Sequence, residues 1–172
     1  MRLRQATADD WQLVKAIRLE ALQSEPTVFG GSYAEAAGRD EAAWRDWSAG
    51  PTKAIFLLFD DDAPQTPVVG LTSVYSVVDE SAASDRTAIC VASYLQRPYR
   101  GRKLSRMFYE ARIAWAKANG CHRVVTGHRL SNRASMHANQ QFGFRETQRI
   151  PRRWPDGVDE PEVIYELQLI GG

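Results

Sequence analysis

A cluster of positive charge stands where a predicted strand ends and a long predicted helix begins. The cations between Leu95 and the first turn of the helix are Arg97, Arg100, Arg102, Lys103 and, within that turn, Arg106. Each exposed cation at the positive end of a helix dipole costs roughly a few tenths of a kcal/mol, whereas the unpaired N–H groups of the first turn favour an anion. The segment therefore predicts a polyanion site, with a solvated basic surface that binds nothing as the alternative.

The stretch from Pro98 to Ser105 resembles the coenzyme A pyrophosphate loop of the GNAT acetyltransferases, usually Arg/Gln-x-x-Gly-x-Gly/Ala. Arg100 matches the first position, and Ser105 takes the final small-residue position. Lys103 stands where the first glycine is expected. Because glycine lets a phosphate approach the backbone without a Cβ in the way, lysine either compensates with its ammonium group or weakens binding.

A second stretch, Ser131 to Phe144, resembles the other GNAT signature, an asparagine that opens a helix ending in Gly-Phe. Asn132 is a good N-cap residue, and Gly143 ends the helix before a strand begins. Both signatures occur in the family's order, separated by a helix and a strand, so the resemblance covers nearly the whole chain. It implies a single N-acetyltransferase domain over residues 1–172.

The resemblance also implies a mechanism, in which acetyl-CoA gives its acetyl group to a primary amine that attacks directly in a ternary complex. The pantetheine arm would lie between two splayed strands, and the amide of Leu95 would hold the developing oxyanion. The residues implied to contact the cofactor are Ser93, Tyr94, Leu95, Arg100, Gly101, Arg102, Lys103, Leu104, Ser105, Arg106, Asn132, Ser135 and Asn139. No metal is expected, because His122, His128 and His137 show no ligand spacing.

One position departs from the family's mechanism. Asn139 stands seven residues after Asn132, where the family often has a tyrosine that protonates the departing thiolate. An amide donates no proton at a useful pKa, although it can hydrogen-bond to sulfur. Tyr94 is one candidate for the proton donor, with an aromatic packed in the sheet as its alternative. His128 is a candidate base or shuttle, with a hydrogen-bonded histidine at a strand end as the alternative.

The rest of the chain supplies the elements that position these segments. Strands are predicted over Leu3–Thr7, Ala54–Phe59, Val68–Val78, Thr87–Leu95, Arg123–His128, Gly143–Ile150 and Val163–Leu169. Helices are predicted from Thr7 to Ser24, from about Ala34 to Trp47, from Ser105 to Asn119 and from Arg133 to Gln141. The order predicts an α/β fold with a single mixed, mostly antiparallel central sheet flanked by helices. The resemblance adds splayed strands at the cofactor cleft.

The composition and net charge of the chain limit the kinds of partner that we expect for the protein. The chain has 172 residues and a net charge of +1, which argues against a general nucleic-acid binder. No apolar run approaches the ~20 residues needed to span a bilayer, and two cysteines without a disulfide pattern suit a reducing compartment. We expect a cytoplasmic protein, monomer or homodimer, that acts on a small-molecule or protein amine and has neither a nucleic-acid nor a membrane partner.

A non-catalytic acyl-CoA-binding or regulatory module is the alternative function, because Lys103 and Asn139 depart from the family's pattern. The segment from Pro26 to Gly38 and the loop from Pro151 to Pro161 are expected to shape the acceptor side. Trp154 either lines the acceptor pocket or anchors that loop. The acceptor itself stays open, because one scaffold serves many amines.

Overall fold

The computed structural model describes residues 1–65, 67–78 and 86–169. Its strands are β1 (Arg2–Gln5), β2 (Ala49–Gly50), β3 (Lys53–Phe59), β4 (Val68–Val78), β5 (Arg86–Leu95), β6 (Arg123–Arg129), β7 (Arg145–Ile150) and β8 (Glu162–Gln168). Its helices are α1 (Trp11–Ser24), α2 (Tyr33–Ala37), α3 (Glu41–Ser48), α4 (Ser105–Ala118) and α5 (Arg133–Gln141). None of these helices is both long enough and apolar enough to cross a lipid bilayer.

The described strands form one mixed sheet in the order β1-β3-β4-β5-β6-β8-β7, with β2 paired to β3. Only the β5–β6 pair is parallel, and the other pairs in the described sheet are antiparallel. This confirms the predicted fold class. The parallel pair follows from connectivity, because α4 carries the chain across the sheet between these strands.

Helices cover both faces of the sheet. In β3, Ile55 and Leu57 face one layer while Ala54 and Phe56 face the other, so the strand reads as a continuous apolar run. One layer packs α1 and α3 on the sheet through the buried residues Val14, Ile17, Ala21, Leu22 and Trp44. The other packs α4 on the sheet through Phe108, Tyr109 and Ala116.

The predicted helix from about Ala34 to Trp47 is wrong as one element, because the structure has α2 and α3 in its place. The side chain of Ser32 accepts the N–H of Glu35 at 3.2 Å and starts α2, which ends at Gly38. The side chain of Asp40 then accepts the N–H of Ala43 at 2.8 Å and starts α3. A second N-cap within the segment therefore divides it.

Two strand boundaries were also predicted incorrectly. The first strand ends at Gln5, because the carboxylate of Asp10 accepts hydrogen bonds from the backbone and hydroxyl of Thr7 and begins a helical turn there. The strand predicted from Gly143 begins at Arg145, since Gly143 lies in the left-handed region with φ +80° and terminates α5. The helix predicted from Thr7 starts as a 3-10 turn at Ala8–Asp10, and α1 follows from Trp11. The remaining boundaries differ by no more than about two residues, as expected for element ends.

We expect Gly70→Ala to destabilise the protein by about 1–3 kcal/mol, the usual cost of overpacking. A Cβ on this β4 residue would lie 2.8 Å from the carbonyl oxygen of Tyr94 and 3.0 Å from Cζ of Phe108, so β4, β5 and α4 would have to separate. Equilibrium denaturation measures the change. Gly38→Ala is the control, because its Cβ would meet nothing closer than 3.4 Å in a helical conformation. Equal stabilities of the two variants would contradict this account of Gly70.

Candidate active site

The site is built around a gap in the sheet between β5 and β6. The two strands pair from Thr87 with Arg123 to Cys90 with Thr126, and both then continue without pairing, to Leu95 and to Arg129. The strands therefore splay at the end that leads into the basic loop. The expected splayed cleft is present.

A bulge in β5 shapes this gap. The register between β4 and β5 shifts between Leu71 and Ser73, where their partners are Tyr94 and Val91. Ala92 adopts φ +55°, an uncommon conformation for a residue with a Cβ. A bulge inserts an extra residue and bends the strand, so it turns the following side chains to new faces and bends β5 away from its neighbour.

A small cavity of about 90 Å³ lies in the gap, and we call it the inner cavity. It is lined by β5, β6 and the inward faces of α4 and α5. Five of the predicted site residues meet there, namely Ser93, His128, Asn132, Ser135 and Asn139. Asn132 caps α5, with its side-chain oxygen accepting the N–H of Ser135 at 3.1 Å.

Asn139 is 2% exposed, and its side-chain oxygen accepts a 2.5 Å hydrogen bond from the hydroxyl of Tyr109 on α4. The phenol ring of Tyr109 stacks on Phe142, with 4.3 Å between centroids. Burial raises the pKa of Tyr109 above its ordinary value, so the phenol keeps its proton at neutral pH. The structure thus brings a phenol from a different helix to the residue that replaces the family's tyrosine.

Arg112 is the second residue of the inner cavity that sequence reasoning missed. Its guanidinium is buried, donates to the hydroxyl of Ser93 at 2.8 Å and to the carbonyl of Phe108 at 3.2 Å, and lies over the ring of Tyr109. Ser93 is also hydrogen-bonded to Thr72 of β4 at 2.8 Å. These hydrogen bonds hold β5 in place beside the gap. The sequence does carry a signal for this residue, because Tyr109 and Arg112 are polar residues on the otherwise apolar face of α4.

His128 has one ring nitrogen engaged and one unengaged. Nδ1 lies 2.7 Å from the carbonyl oxygen of Arg129, which can only accept, so Nδ1 carries the hydrogen. Nε2 is buried without a hydrogen-bond partner among the described residues. In the neutral form of the ring, Nε2 therefore presents a free lone pair, in a side chain that lines the inner cavity.

Tyr94 and Leu95 do not line the inner cavity. The hydroxyl of Tyr94 donates to Glu20 at 2.9 Å and contacts Ser24 at 3.0 Å, and its ring packs with the α1 layer. Leu95 contributes its backbone N–H to the gap and not its side chain. Since Gln96 donates its N–H to Val69 of β4, and successive N–H groups point to opposite sides of a strand, the N–H of Leu95 points toward the gap.

The basic loop leads from this gap to the start of α4. Gly101 has φ +75° and Lys103 has φ +59°, so the lysine adopts the left-handed conformation that glycine adopts without strain. The N–H groups of Lys103, Leu104 and Ser105 donate to no acceptor in the described parts of the chain. Lys103, Ser105 and Arg106 line an open groove of about 700 Å³ with the end of α5.

The loop cations are not equivalent. Arg100 donates to the carbonyl of Leu95 at 2.8 Å and pairs with Glu25 at 2.9 Å, so it already has partners that hold β5 to the end of α1. Arg106 pairs with Glu110 one turn along α4. Arg102 lies over the ring of Tyr99, and Lys103 has no carboxylate partner among the described residues. Lys103 and Arg102 are the cations left for an anion.

A larger cavity of about 480 Å³, which we call the outer cavity, lies against the gap on the face of α1 and α2. Its wall includes Cys90, Ala92, Thr126 and Gly127, which also line the inner cavity. Residues 28–32 and Trp154 complete it, so both segments expected on the acceptor side lie there. Trp154 also anchors its loop, because its Nε1 donates to the carbonyl of Glu160 at 2.8 Å.

No group of three or more His, Cys, Asp or Glu side chains in the described residues is arranged to hold a metal ion. The two cavities instead offer a phenol, an imidazole and a buried guanidinium around a gap between strands. Such an arrangement suits transfer of a group between two molecules that enter from opposite sides.

The fold is similar to that of several solved acetyltransferases. The structure of Arabidopsis thaliana NAA60 in complex with acetyl-CoA superposes with a TM-score of 0.76 at 11% identity, covering 98% of each chain. The ribosomal-protein-alanine N-acetyltransferase of Brucella melitensis gives 0.72 at 18% identity, covering 98% of this chain and 100% of the other. An acetyltransferase of the GNAT family from Streptococcus pneumoniae gives 0.71 at 16%, covering 98% of each.

None of the curated proteins compared with this sequence matches it. The model of the acetyltransferase (GNAT) family matches residues 16–144, a span that includes both signature segments and all the residues that line the inner cavity. With the fold, the splayed strands and this match in agreement, the chain belongs to the GNAT acetyltransferase family.

Proposed function

We propose that the protein is an N-acetyltransferase that moves the acetyl group of acetyl-CoA to a primary amine by direct attack in a ternary complex. The observation that carries the proposal is the meeting of two cavities at the β5–β6 gap, one beside α4 and α5 and one on the face of α1 and α2. A donor and an acceptor can thus approach each other without displacing the sheet. Residues 1–172 then act as one N-acetyltransferase domain.

The residues of the basic loop fit a pyrophosphate. The unpaired N–H groups of residues 103–105 and the helix dipole of α4 favour an anion, and Lys103 adds a positive charge beside them. Ser93, Asn132 and Ser135 lie along the path from this loop through the gap. When bound, acetyl-CoA supplies a thioester carbonyl that an amine can attack.

Each group of the gap then has a role in the transfer. The N–H of Leu95 stabilises the oxygen that becomes negative when the C–N bond forms. Nε2 of His128 accepts the proton that the amine loses, directly or through water. As the C–S bond breaks, the hydroxyl of Tyr109 turns its proton from the side-chain oxygen of Asn139 to the departing sulfur. Until then the hydrogen bond to Asn139 holds the phenol beside the gap.

The alternative is an acyl-CoA-binding module without catalysis. Coenzyme A release in the presence of amines separates the two functions, because only an enzyme turns over. A site that positions a protonated phenol and a free imidazole nitrogen favours the enzyme.

We expect acetyl-CoA to raise the thermal stability of the protein, because it binds only the folded state. At a ligand concentration of ~100 times the dissociation constant the gain is about 2.7 kcal/mol. A thermal melt with and without millimolar acetyl-CoA measures it, with acetate as the control for the acyl group alone. An unchanged melting temperature would count against both the enzyme and the binding module.

Lys103→Gly is expected to relieve the left-handed backbone at φ +59°, where a residue with a Cβ costs roughly 1–2 kcal/mol, partly offset by the entropy of glycine. We therefore expect unfolding stability equal to or up to about 1 kcal/mol above that of the parent. Lys103→Ala keeps the strain and loses the charge, so it is the matched control. If Lys103→Gly binds acetyl-CoA more weakly and Lys103→Ala binds it equally weakly, the ammonium group is the ligand. Tighter binding by Lys103→Gly would show that the lysine obstructs the phosphate.

Tyr109→Phe should lower kcat by ~100- to 10,000-fold, the usual value of a positioned acid, and leave acetyl-CoA binding unchanged. Phenylalanine keeps the stacking on Phe142, so the change removes only the hydroxyl. Asn139→Ala should cost ~10-fold or less, since it removes one hydrogen bond that orients the acid.

Tyr94→Phe is the matched comparison, because it removes the hydroxyl that bonds Glu20 on the other face of the sheet. We expect it to retain most of the turnover. A larger loss in Tyr94→Phe than in Tyr109→Phe would make Tyr94 the proton donor, and equal turnover in Tyr109→Phe and the parent would mean that the thiolate leaves unassisted.

A further inference from the structure

The outer cavity carries an uneven set of charges. Arg18, Arg39 and Arg152 line it together with Glu35 and Glu162. Arg152 pairs with Glu162, so these two charges balance each other. The carboxylate of Glu35 accepts the N–H of Ser32 at the start of α2. Arg18 and Arg39 have no carboxylate partner among the described residues.

Arg18 is the more buried of the two. Its guanidinium lies over the ring of Phe29, 4.7 Å from the centroid, and Nη1 is buried with no hydrogen-bond partner in the described structure. Burial, with a smaller contribution from Arg39, lowers the pKa of Arg18 to about 10, so the group still carries its charge at neutral pH. An aromatic ring stabilises the face of a guanidinium but leaves its N–H edges free.

The same chain balances another buried arginine completely. Arg129 pairs with Asp156 and Glu160 at 2.7 and 2.9 Å, and also donates to the carbonyl of Thr27. A buried charge without a partner is costly, so its partner is expected from outside the chain when the chain supplies none. The free N–H groups of Arg18 match a carboxylate, which can accept two parallel hydrogen bonds from one guanidinium.

We propose that Arg18, assisted by Arg39, binds an anionic group of the acceptor, so that the substrates are small primary amines that also carry a carboxylate or a comparable oxyanion. This inference rests on the proposed acetyl transfer and specifies its acceptor. The outer cavity, at about 480 Å³, has the size of small-molecule sites. The anion lies at Arg18 and the amine reaches the gap beside Ala92 and Gly127. Polyamines are excluded, because two unpaired arginines repel them.

Matched pairs of amines test this directly. Standard L-amino acids are compared with the amines that remain when their carboxylate is removed, for example L-phenylalanine with 2-phenylethylamine, and coenzyme A release is measured. Aminoalkylphosphonates form a second arm that distinguishes the kind of oxyanion, and spermidine represents the polyamines. We expect kcat/KM at least tenfold higher for the best anionic amine than for its neutral partner. Equal or better acetylation of the neutral amines or of spermidine overturns the inference.

Arg18→Gln assigns the preference to the residue. It removes the charge and keeps a polar side chain, so KM for the anionic amine should rise about 10- to 100-fold, the value of a hydrogen-bonded charge pair, while the neutral partner is unaffected. Arg45→Gln is the control, because Arg45 is an arginine on α3 whose partners are Asp9 and Glu41 outside both cavities. A rise of KM that is the same for both members of a pair contradicts a role for Arg18 in anion binding.

Thermal melts separate failure of this inference from failure of the proposed function. If no amine releases coenzyme A, acetyl transfer is what fails, and binding by Arg18 is still measured by the shift that the amino acids and aminoalkylphosphonates produce. We expect a shift in the parent that Arg18→Gln loses. If acetyl transfer proceeds but no anionic amine shifts the parent's melt or is preferred, the function stands and the inference is wrong. A more stable Arg18→Met apoprotein would be a further supporting result, since the buried charge is then removed.

Discussion

The separation of β5 from β6 beyond Cys90 and Thr126 is the constraint on which the whole site depends. Strand edges that diverge inside a protein leave backbone groups that need partners. The chain supplies one of them from a side chain, since Arg100 donates to the carbonyl of Leu95. Other backbone groups along the gap are left without a partner from the part of the chain that the structure describes, and a ligand in the gap can hydrogen-bond to them. The bulge at Ala92 follows directly after the last β5–β6 pair, Cys90 with Thr126, so the irregularity in β5 lies where the two strands part.

Three buried or half-buried arginines surround this gap, and they differ in the partners that balance their charge. Arg129 has two carboxylates and ties the loop from Pro151 to Pro161 to the segment after α1. Arg112 has only neutral partners, Ser93 and the carbonyl of Phe108, next to the ring of Tyr109. Arg18 has one buried nitrogen, Nη1, without a hydrogen-bond partner among the described residues. The fully balanced arginine is structural, whereas Arg112 lines the inner cavity and Arg18 the outer cavity. Charge that is left unbalanced beside a cavity is a sign of binding, because it destabilises the empty protein.

Much of the fold follows from local patterns. The continuous apolar run of β3, the glycine ends of α4 and α5 and the N-cap at Asn132 lie in the sequence, so the elements and the mixed sheet could be predicted. The division of residues 33–48 into α2 and α3 was also encoded, in Gly38 and in the capping residue Asp40, and the prediction of a single helix overlooked both. The face of Tyr94 could not be predicted. Strict alternation puts it beside Cys90, and only the bulge, a property of strand pairing, moves it to the α1 layer.

The site could likewise be predicted only in part, because local spacing is readable in the sequence and contacts between elements are not. Sequence spacing located Asn139 and identified what it lacks, because spacing along one helix fixes the position of a side chain. It could not identify Tyr109, which is 30 residues away and reaches Asn139 across the packing of α4 on α5. The proposed transfer needs a proton donor at one point in space, and either of two helices that pack together can supply it. A phenol therefore lies in the gap although α5 carries no tyrosine at this position. Asn139, whose amide is no proton donor at a useful pKa, accepts the hydrogen bond of that phenol and holds it in place.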